Sequence, residues 1–151
     1  MKRVNGNLID LALAGEFDLI VHGCNCFHKM GAGIAIAIAT EFPEVLAVDR
    51  QTPKGDKEKL GKISIAHIDR PNLQLKVVNA YTQFSWRGRG QKADYDAIRI
   101  FFNEIATRFP SCRIGYPLIS AGLAGGDWNV IEPRISTALS GLNHTLVLFQ
   151  G

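Results

Sequence analysis

The chain has 151 residues, 46% of them hydrophobic and 21% charged, with a formal net charge of +3. That is enough for residues 1–151 to form one domain around one core, with the composition of an ordinary soluble globular protein. No apolar run reaches the length of a membrane span, and Met1-Lys2-Arg3-Val4-Asn5-Gly6-Asn7 turns polar too early for a secretory signal, so a cytoplasmic protein without a membrane partner is expected.

The mild positive charge suits phosphate-bearing ligands and does not by itself indicate DNA or RNA binding. Cys24, Cys26 and Cys112 form an odd set with neither a C-x-x-C nor a paired histidine motif. A disulfide framework or a zinc site is therefore not expected, and no metal or cofactor is implied.

A strand just after Met1 and a short helix open the predicted order. Phe17 to His22 is a branched apolar run bounded by Gly15 and Gly23 and predicts a buried strand. Gly33 to Phe42 alternates Ile and Ala like a strand, but the glycine start, the Pro43 stop and the alanines predict a helix. Pro43 to Arg50 predicts a further short helix, and Gln51 to Lys62 a charged, exposed connection.

Lys62 to Ile68 and Leu73 to Tyr81 predict two strands joined by a turn at Asp69-Arg70-Pro71-Asn72, hence an antiparallel hairpin. Tyr95, Ile98, Phe101, Phe102, Ile105, Ala106 and Phe109 recur at helical spacing after Asp94, and Pro110 closes that helix. Arg113 to Ile119 predicts a strand that Pro117 ends or disturbs. The last helix carries Ile131, Ile135, Ala138 and Leu139, with Pro133 placed near its first turn, and His144 to Phe149 predicts the final strand. Strands alternating with helices imply a three-layer α/β/α sandwich with a central mixed, mostly parallel sheet.

Two glycine-rich loops, Met30 to Ala35 and Gly122 to Trp128, each follow a predicted strand and precede a helix. In a parallel sheet such junctions open on the carboxyl edge, where backbone N–H groups and helix N-termini converge on an anion. A pyrophosphate gripped from both sides is the occupant this arrangement predicts.

The text around these loops, His22-Gly23-Cys24-Asn25-Cys26 through Gly31-Ala32-Gly33-Ile34 and Ser120-Ala121-Gly122-Leu123-Ala124-Gly125-Gly126-Asp127-Trp128, resembles the macro domain, an ADP-ribose-binding module. Gly6-Asn7-Leu8-Ile9 is similar to that family's Gly-Asp-Ile element, so the resemblance covers essentially the whole chain. His22 replaces the first asparagine of the usual motif, and the combination looks most like the branch that dephosphorylates ADP-ribose 1″-phosphate. The resemblance implies ADP-ribose or its 1″-phosphate as partner, with Gly31, Ala32, Gly33 and Ile34 and residues Ser120, Ala121, Gly122, Leu123, Ala124, Gly125 and Gly126 around the pyrophosphate.

Within that resemblance, Asn25 matches the asparagine that holds the distal ribose, since a carboxamide donates and accepts at once; its alternative is a turn cap. Asn7, with Leu8 and Ile9 after it, stands where relatives accept the adenine amino group with an aspartate. His22 and Asp127 fall at the ends of the strands feeding the two loops and form the candidate catalytic pair, one to protonate the departing sugar oxygen and one to direct water. The alternatives are a structural histidine and a helix N-cap, and a capping aspartate would tolerate change to asparagine where a catalytic one would not.

Many relatives carry a bulky aromatic where this chain has Ala124, whose small size leaves space for an extra phosphate. Some hydrolases of the family use a lysine after the middle strand, but here that strand runs into Tyr81-Thr82-Gln83. A lysine-dependent hydrolase is thereby disfavoured, while a water-based ADP-ribosyl hydrolase and a non-catalytic reader remain open. Trp86 to Lys92 is a basic loop with one aromatic, read either as a solvated loop or as a rim of the cleft, and no independent nucleic-acid site is expected from it.

Overall fold

The computed structural model describes residues 1–87, 90–122 and 124–149. Its elements are β1 (Lys2–Gly6), α1 (Leu8–Leu13), β2 (Leu19–Asn25), α2 (Ile34–Glu41), α3 (Pro43–Arg50), β3 (Ile63–Arg70), β4 (Leu73–Gln83), α4 (Tyr95–Arg108), β5 (Ile114–Tyr116), α5 (Trp128–Ala138) and β6 (His144–Phe149). This is the predicted order, with a 3-10 turn at Lys57–Lys59 added to the long connection.

The strands form one six-stranded sheet in the order β1-β6-β5-β2-β4-β3. Every neighbouring pair is parallel except β3 with β4, the predicted hairpin. Parallel neighbours need crossovers, and the crossing helices bury both faces of the sheet. On one face Leu19 and Val21 of β2 and Val78 and Ala80 of β4 pack with Ile98, Phe101, Phe102 and Ile105 of α4 and Ile131 and Ile135 of α5. On the other, Ile20 and Val77 pack with Ala12 of α1, Ile38 of α2, and Phe42 and Val45 at α3. Alternate residues of the same strands supply two cores, which gives the three-layer α/β/α sandwich.

Several local outcomes refine the sequence reading. The Ile/Ala run is the helix α2, although only Ile38 of it is buried and Ile36 is 48% exposed. Punctuation decided it: Gly33 sits at φ 60°, ψ −144°, a conformation that only glycine takes readily, and Pro43 starts the next helix. The hairpin turn is tighter than predicted, because Arg70 pairs with Leu73 and leaves only Pro71 and Asn72 between the strands.

β5 stops at Tyr116, three residues short of the predicted end, because Pro117 has no N–H to continue the ladder. Pro133 is the sixth residue of α5, one turn deeper than the first-turn position predicted for it. The hydrogen bond its missing N–H forgoes is still one, and beside it the Arg134 guanidinium donates to the Val130 carbonyl at 2.9 Å. The connection before β3 is also less exposed than predicted: Lys59 is buried, its ammonium 4.5 Å from the centre of the Tyr81 ring.

Candidate functional site

The carboxyl ends of β2, β4 and β5 open on one cavity of about 650 Å³, a volume within the range of small-molecule sites. Gly23, Cys24 and Asn25 reach it from β2, Thr82 and Gln83 from β4, and Pro117 to Ser120 from the segment after β5. Lys29 to Ala35 line it from the loop entering α2, Gly122 and Ala124 from the second loop, and Trp86 and Lys92 from the segment before α4. Both glycine-rich loops therefore face one cavity, as a shared anion site requires.

The first loop brings the start of α2 to the cavity through Gly33, Ile34 and Ala35, and no side chain caps that helix. Its first N–H groups have no intrahelical acceptor, and the helix dipole adds partial positive charge at the same end. The second loop is folded upon itself: the Gly126 N–H donates to Ser120 O at 2.7 Å and the Gly125 N–H to Gly122 O at 3.0 Å. Lys92 and Ala93 donate their N–H groups to Ala124 O at 2.6 and 3.2 Å, tying that loop to the segment before α4.

Between the loops lies a small polar recess. A Cβ on Gly23 would come within 2.9 Å of Thr82 Oγ1 and 3.5 Å of Ser120 Oγ, so glycine keeps this space open. Ser120 holds φ 62° and its buried Oγ has no hydrogen-bond partner among the described residues. An incoming polar atom would here gain a hydrogen bond from a buried hydroxyl that has none among the described residues.

Beneath the cavity, on the α3 side of the sheet, runs a buried polar chain. His22 Nε2 lies 2.6 Å from Asn79 Oδ1, and the Asn79 amide donates to Val45 O at 3.1 Å and Ser64 Oγ at 3.2 Å. Ser64 Oγ lies 2.8 Å from the Tyr81 hydroxyl, which donates to Asp49 Oδ1 at 2.7 Å. Burial pushes the His22 imidazolium pKa down, against a smaller opposing pull from Asn79. Burial likewise pushes the Cys24 thiol well up; its Sγ lies 3.6 Å from His22 Nε2 and 3.7 Å from Asn79 Oδ1, so it belongs to this chain and is not a ready nucleophile.

The predicted site residues divide. Asn25, Gly31, Ala32, Gly33, Ile34, Ser120, Gly122 and Ala124 line the cavity. Asn25 does so with its carboxamide engaged in its own turn, Oδ1 accepting from the Phe27 N–H at 2.9 Å and Nδ2 donating to Lys29 O at 2.8 Å. The turn-cap alternative thus describes its present contacts. Gly125, Gly126 and Ala121 shape the second loop without lining the cavity, and Leu123 lies outside the described residues.

The catalytic pair needs correction. His22 is fully buried and does not line the cavity, because it projects to the same side of β2 as Ile20 and is locked to Asn79. Asp127 is exposed and does not line it either; its carboxylate accepts the Asn129 N–H at 2.9 Å as the N-cap of α5. Asn7 caps α1 by accepting from the Ile9 and Asp10 N–H groups, while Leu8 and Ile9 are buried in the α1 packing, and none of the three lines this cavity.

Sequence reasoning missed Thr82, Gln83 and Lys29. Thr82 and Gln83 were discoverable as the carboxyl end of a central strand, the edge where ligands gather in such sheets. Among the described residues the cavity's charged groups are Lys29 and Lys92, and no Asp, Glu or His lines it.

The macro domain family model matches residues 21–135. An uncharacterized 17.5 kDa protein from the tk–vs intergenic region of Enterobacteria phage T4 is 34% identical over 152 residues, covering 97% of this chain and 95% of that protein. A DNA ADP-ribosyl glycohydrolase of Mycobacterium bovis is 24% identical over 130 residues, covering 86% of this chain but 37% of that enzyme. The structure of Thermosipho africanus DarTG in complex with ADP-ribose superposes with a TM-score of 0.75 at 17% identity, over 98% of this chain and 42% of that one. With its two glycine loops meeting on one cavity and most of its length matched by the family model, this chain belongs to the macro domain family.

Proposed function

We propose that this protein binds ADP-ribose in the 650 Å³ cavity, with the diphosphate between the start of α2 and the second glycine loop, and hydrolyses the bond joining the distal ribose to a nucleic acid. The observation that carries the binding is the convergence of both loops on one cavity whose charged residues, among those described, are cations. Main-chain N–H groups and Lys29 and Lys92 would neutralise a diphosphate without demanding sequence-specific side chains. The kinship to a DNA ADP-ribosyl glycohydrolase supports the hydrolytic reading.

Departure of a group from a ribose C1″ builds positive charge on the sugar and negative charge on the leaving group, and prepositioned dipoles lower that barrier most. With the Asn25 carboxamide held in its own turn, the carboxamide of Gln83 and the hydroxyls of Thr82 and Ser120 are the uncharged side-chain groups that would hold the sugar and a water. β4 ends in Tyr81-Thr82-Gln83 without the lysine that some hydrolases of the family carry after the middle strand, so this chain would act through oriented water.

A second reading, hydrolysis of ADP-ribose 1″-phosphate, is favoured by one observation: Ala124 lines the cavity as a small residue and leaves space for a further phosphate. Neither His22 nor Asp127 lines the cavity, so this reading too rests on the polar recess. Two measurements test both readings. Calorimetry should give tighter binding for ADP-ribose than for AMP or NAD, and equal binding of all three would sink the cavity's assignment. Chromatography of ADP-ribosylated oligonucleotide and of ADP-ribose 1″-phosphate after incubation should show ADP-ribose released from the first; phosphate release alone would establish the second reading, and neither product would leave a reader.

A further inference from the structure

Three aromatic rings form a strip that reaches the cavity at Trp86. Phe27 packs edge-on against Phe84 at 4.8 Å between centroids and against Trp86 at 5.9 Å. Trp86 both lines the cavity and is 37% exposed. Two cations rest on the strip from outside, the Arg87 guanidinium 5.0 Å from the Trp86 ring centre and the Lys57 ammonium 5.0 Å from that of Phe84.

The strip continues beyond the cavity. Phe84 also lines a second, more open cleft of about 490 Å³, and Lys92 lines both spaces. Arg134 and Tyr95 lie further along that cleft, as do Asp94, which caps α4, and Asp96. Between the two spaces stand one exposed ring, Trp86, and one half-buried ring, Phe84, each with a cation over it. A ring that is exposed, lines the cavity and carries a guanidinium offers a base a stacking face and its phosphates a charge together, which is how single strands are held.

We propose that this strip binds the single strand of nucleic acid that flanks the nucleotide seated in the cavity: a nucleobase stacks on Trp86 and Arg87, and neighbouring phosphates meet Arg87 and Lys57. The inference rests on the reading of the cavity as the seat of an ADP-ribosyl nucleotide, and it names what lies outside that seat. Stacking accepts any base, since every base has a π-face, so the strip selects for unpaired strand over sequence. A duplex keeps its bases stacked inside and gives the strip only phosphates.

The test is fluorescence anisotropy with an unmodified labelled oligonucleotide of about 12 nucleotides, within the span such sites occupy, as DNA and as RNA, beside the matching duplex and a polyglutamate peptide. The parent protein is compared with the double variant Lys57→Glu/Arg87→Glu, neither residue lining the ADP-ribose cavity. The expected result is preference for single strands of either sugar over duplex, and a loss of about tenfold or more in the variant. The slope of log affinity against log salt should fall by about 1.4, the share of two phosphate contacts on a single strand.

ADP-ribose binding, measured by calorimetry on the same two proteins, should stay equal. Unchanged oligonucleotide affinity in the variant, a preference for duplex, equally tight polyglutamate, or no oligonucleotide binding by the parent would each overturn the proposal. Failure of the parent to bind ADP-ribose while it still prefers single strands would overturn the cavity's assignment and not the strip's.

Discussion

The two glycine-rich loops have similar composition and face the same cavity, yet they use their backbones in opposite ways. The first leaves the start of α2 without a side-chain cap, and the residues that carry the helix's leading N–H groups line the cavity. The second satisfies much of its own backbone through Gly126 N–H to Ser120 O and Gly125 N–H to Gly122 O, and the helix after it is capped by Asp127. One loop is a donor surface and the other a shaped wall. Glycine content alone does not say which role a loop has; the fate of its amides does.

That contrast can be broken by single substitutions. The largest effect is expected at Gly126, where a Cβ would meet Ser120 O at 2.5 Å and Ile131 Cδ1 at 2.8 Å. Because a backbone carbonyl is in the way, Gly126→Ala should cost about 1–3 kcal/mol of stability, read by urea unfolding, and should weaken ADP-ribose binding by disturbing Ser120. Unchanged stability would show that the second loop is not the rigid wall described.

Gly33→Ala comes next. Its φ of 60° with ψ −144° is hostile to any Cβ, so the substitution should cost about 1–3 kcal/mol. The cost should fall more on ligand affinity than on melting temperature, because the strained residue sits where α2 meets the cavity. Equal affinity for ADP-ribose by calorimetry would remove the start of α2 from the site.

His22 gives a smaller, pH-dependent effect. Its folded pKa is held below the ordinary 6.5, chiefly by burial, so the unfolded chain takes up the proton first as pH falls. Stability from this group is complete above about pH 6.5 and is lost as pH drops below that value, by at most about 1.4 kcal/mol per pH unit. Thermal melts from pH 7.5 to 5.5 should show a shallower decline in His22→Gln than in the parent. Parallel declines would mean that His22 does not titrate as buried. Least of all should change in Asp127→Asn, since asparagine caps a helix about as well as aspartate. Turnover reduced tenfold or more in that variant, with the melt unchanged, would restore Asp127 to the chemistry.

The strand-helix order was legible because each element carries its own signal. Val77-Val78 and the run ending at His22 are branched and apolar, the α4 stripe recurs at helical spacing, and Gly33 and Pro43 bracket α2 against its misleading alternation. The loops were legible as one candidate anion site because two glycine stretches, each between a strand and a helix, open on the same edge of a parallel sheet, where one alone would read as a tight turn. The direction of individual polar side chains was harder. His22 reads as a strand-end base, but it shares the side of β2 that carries Ile20, and only the packing of α3 against that side shows that it meets Asn79 and not the cavity.

The sequence by itself determined the alternation of strands and helices, the family, and the two backbone loops, since these follow from local pattern and from glycine's unique torsions. The tertiary structure alone decided which polar groups share a space. Thr82 and Gln83 at the end of β4 share the cavity with Ser120 from the segment after β5, while His22, two residues from the cavity-lining Cys24, is sealed beneath it. Neighbourhood across a sheet is set by strand order and by the face each side chain takes, and neither distance along the chain nor residue type encodes it.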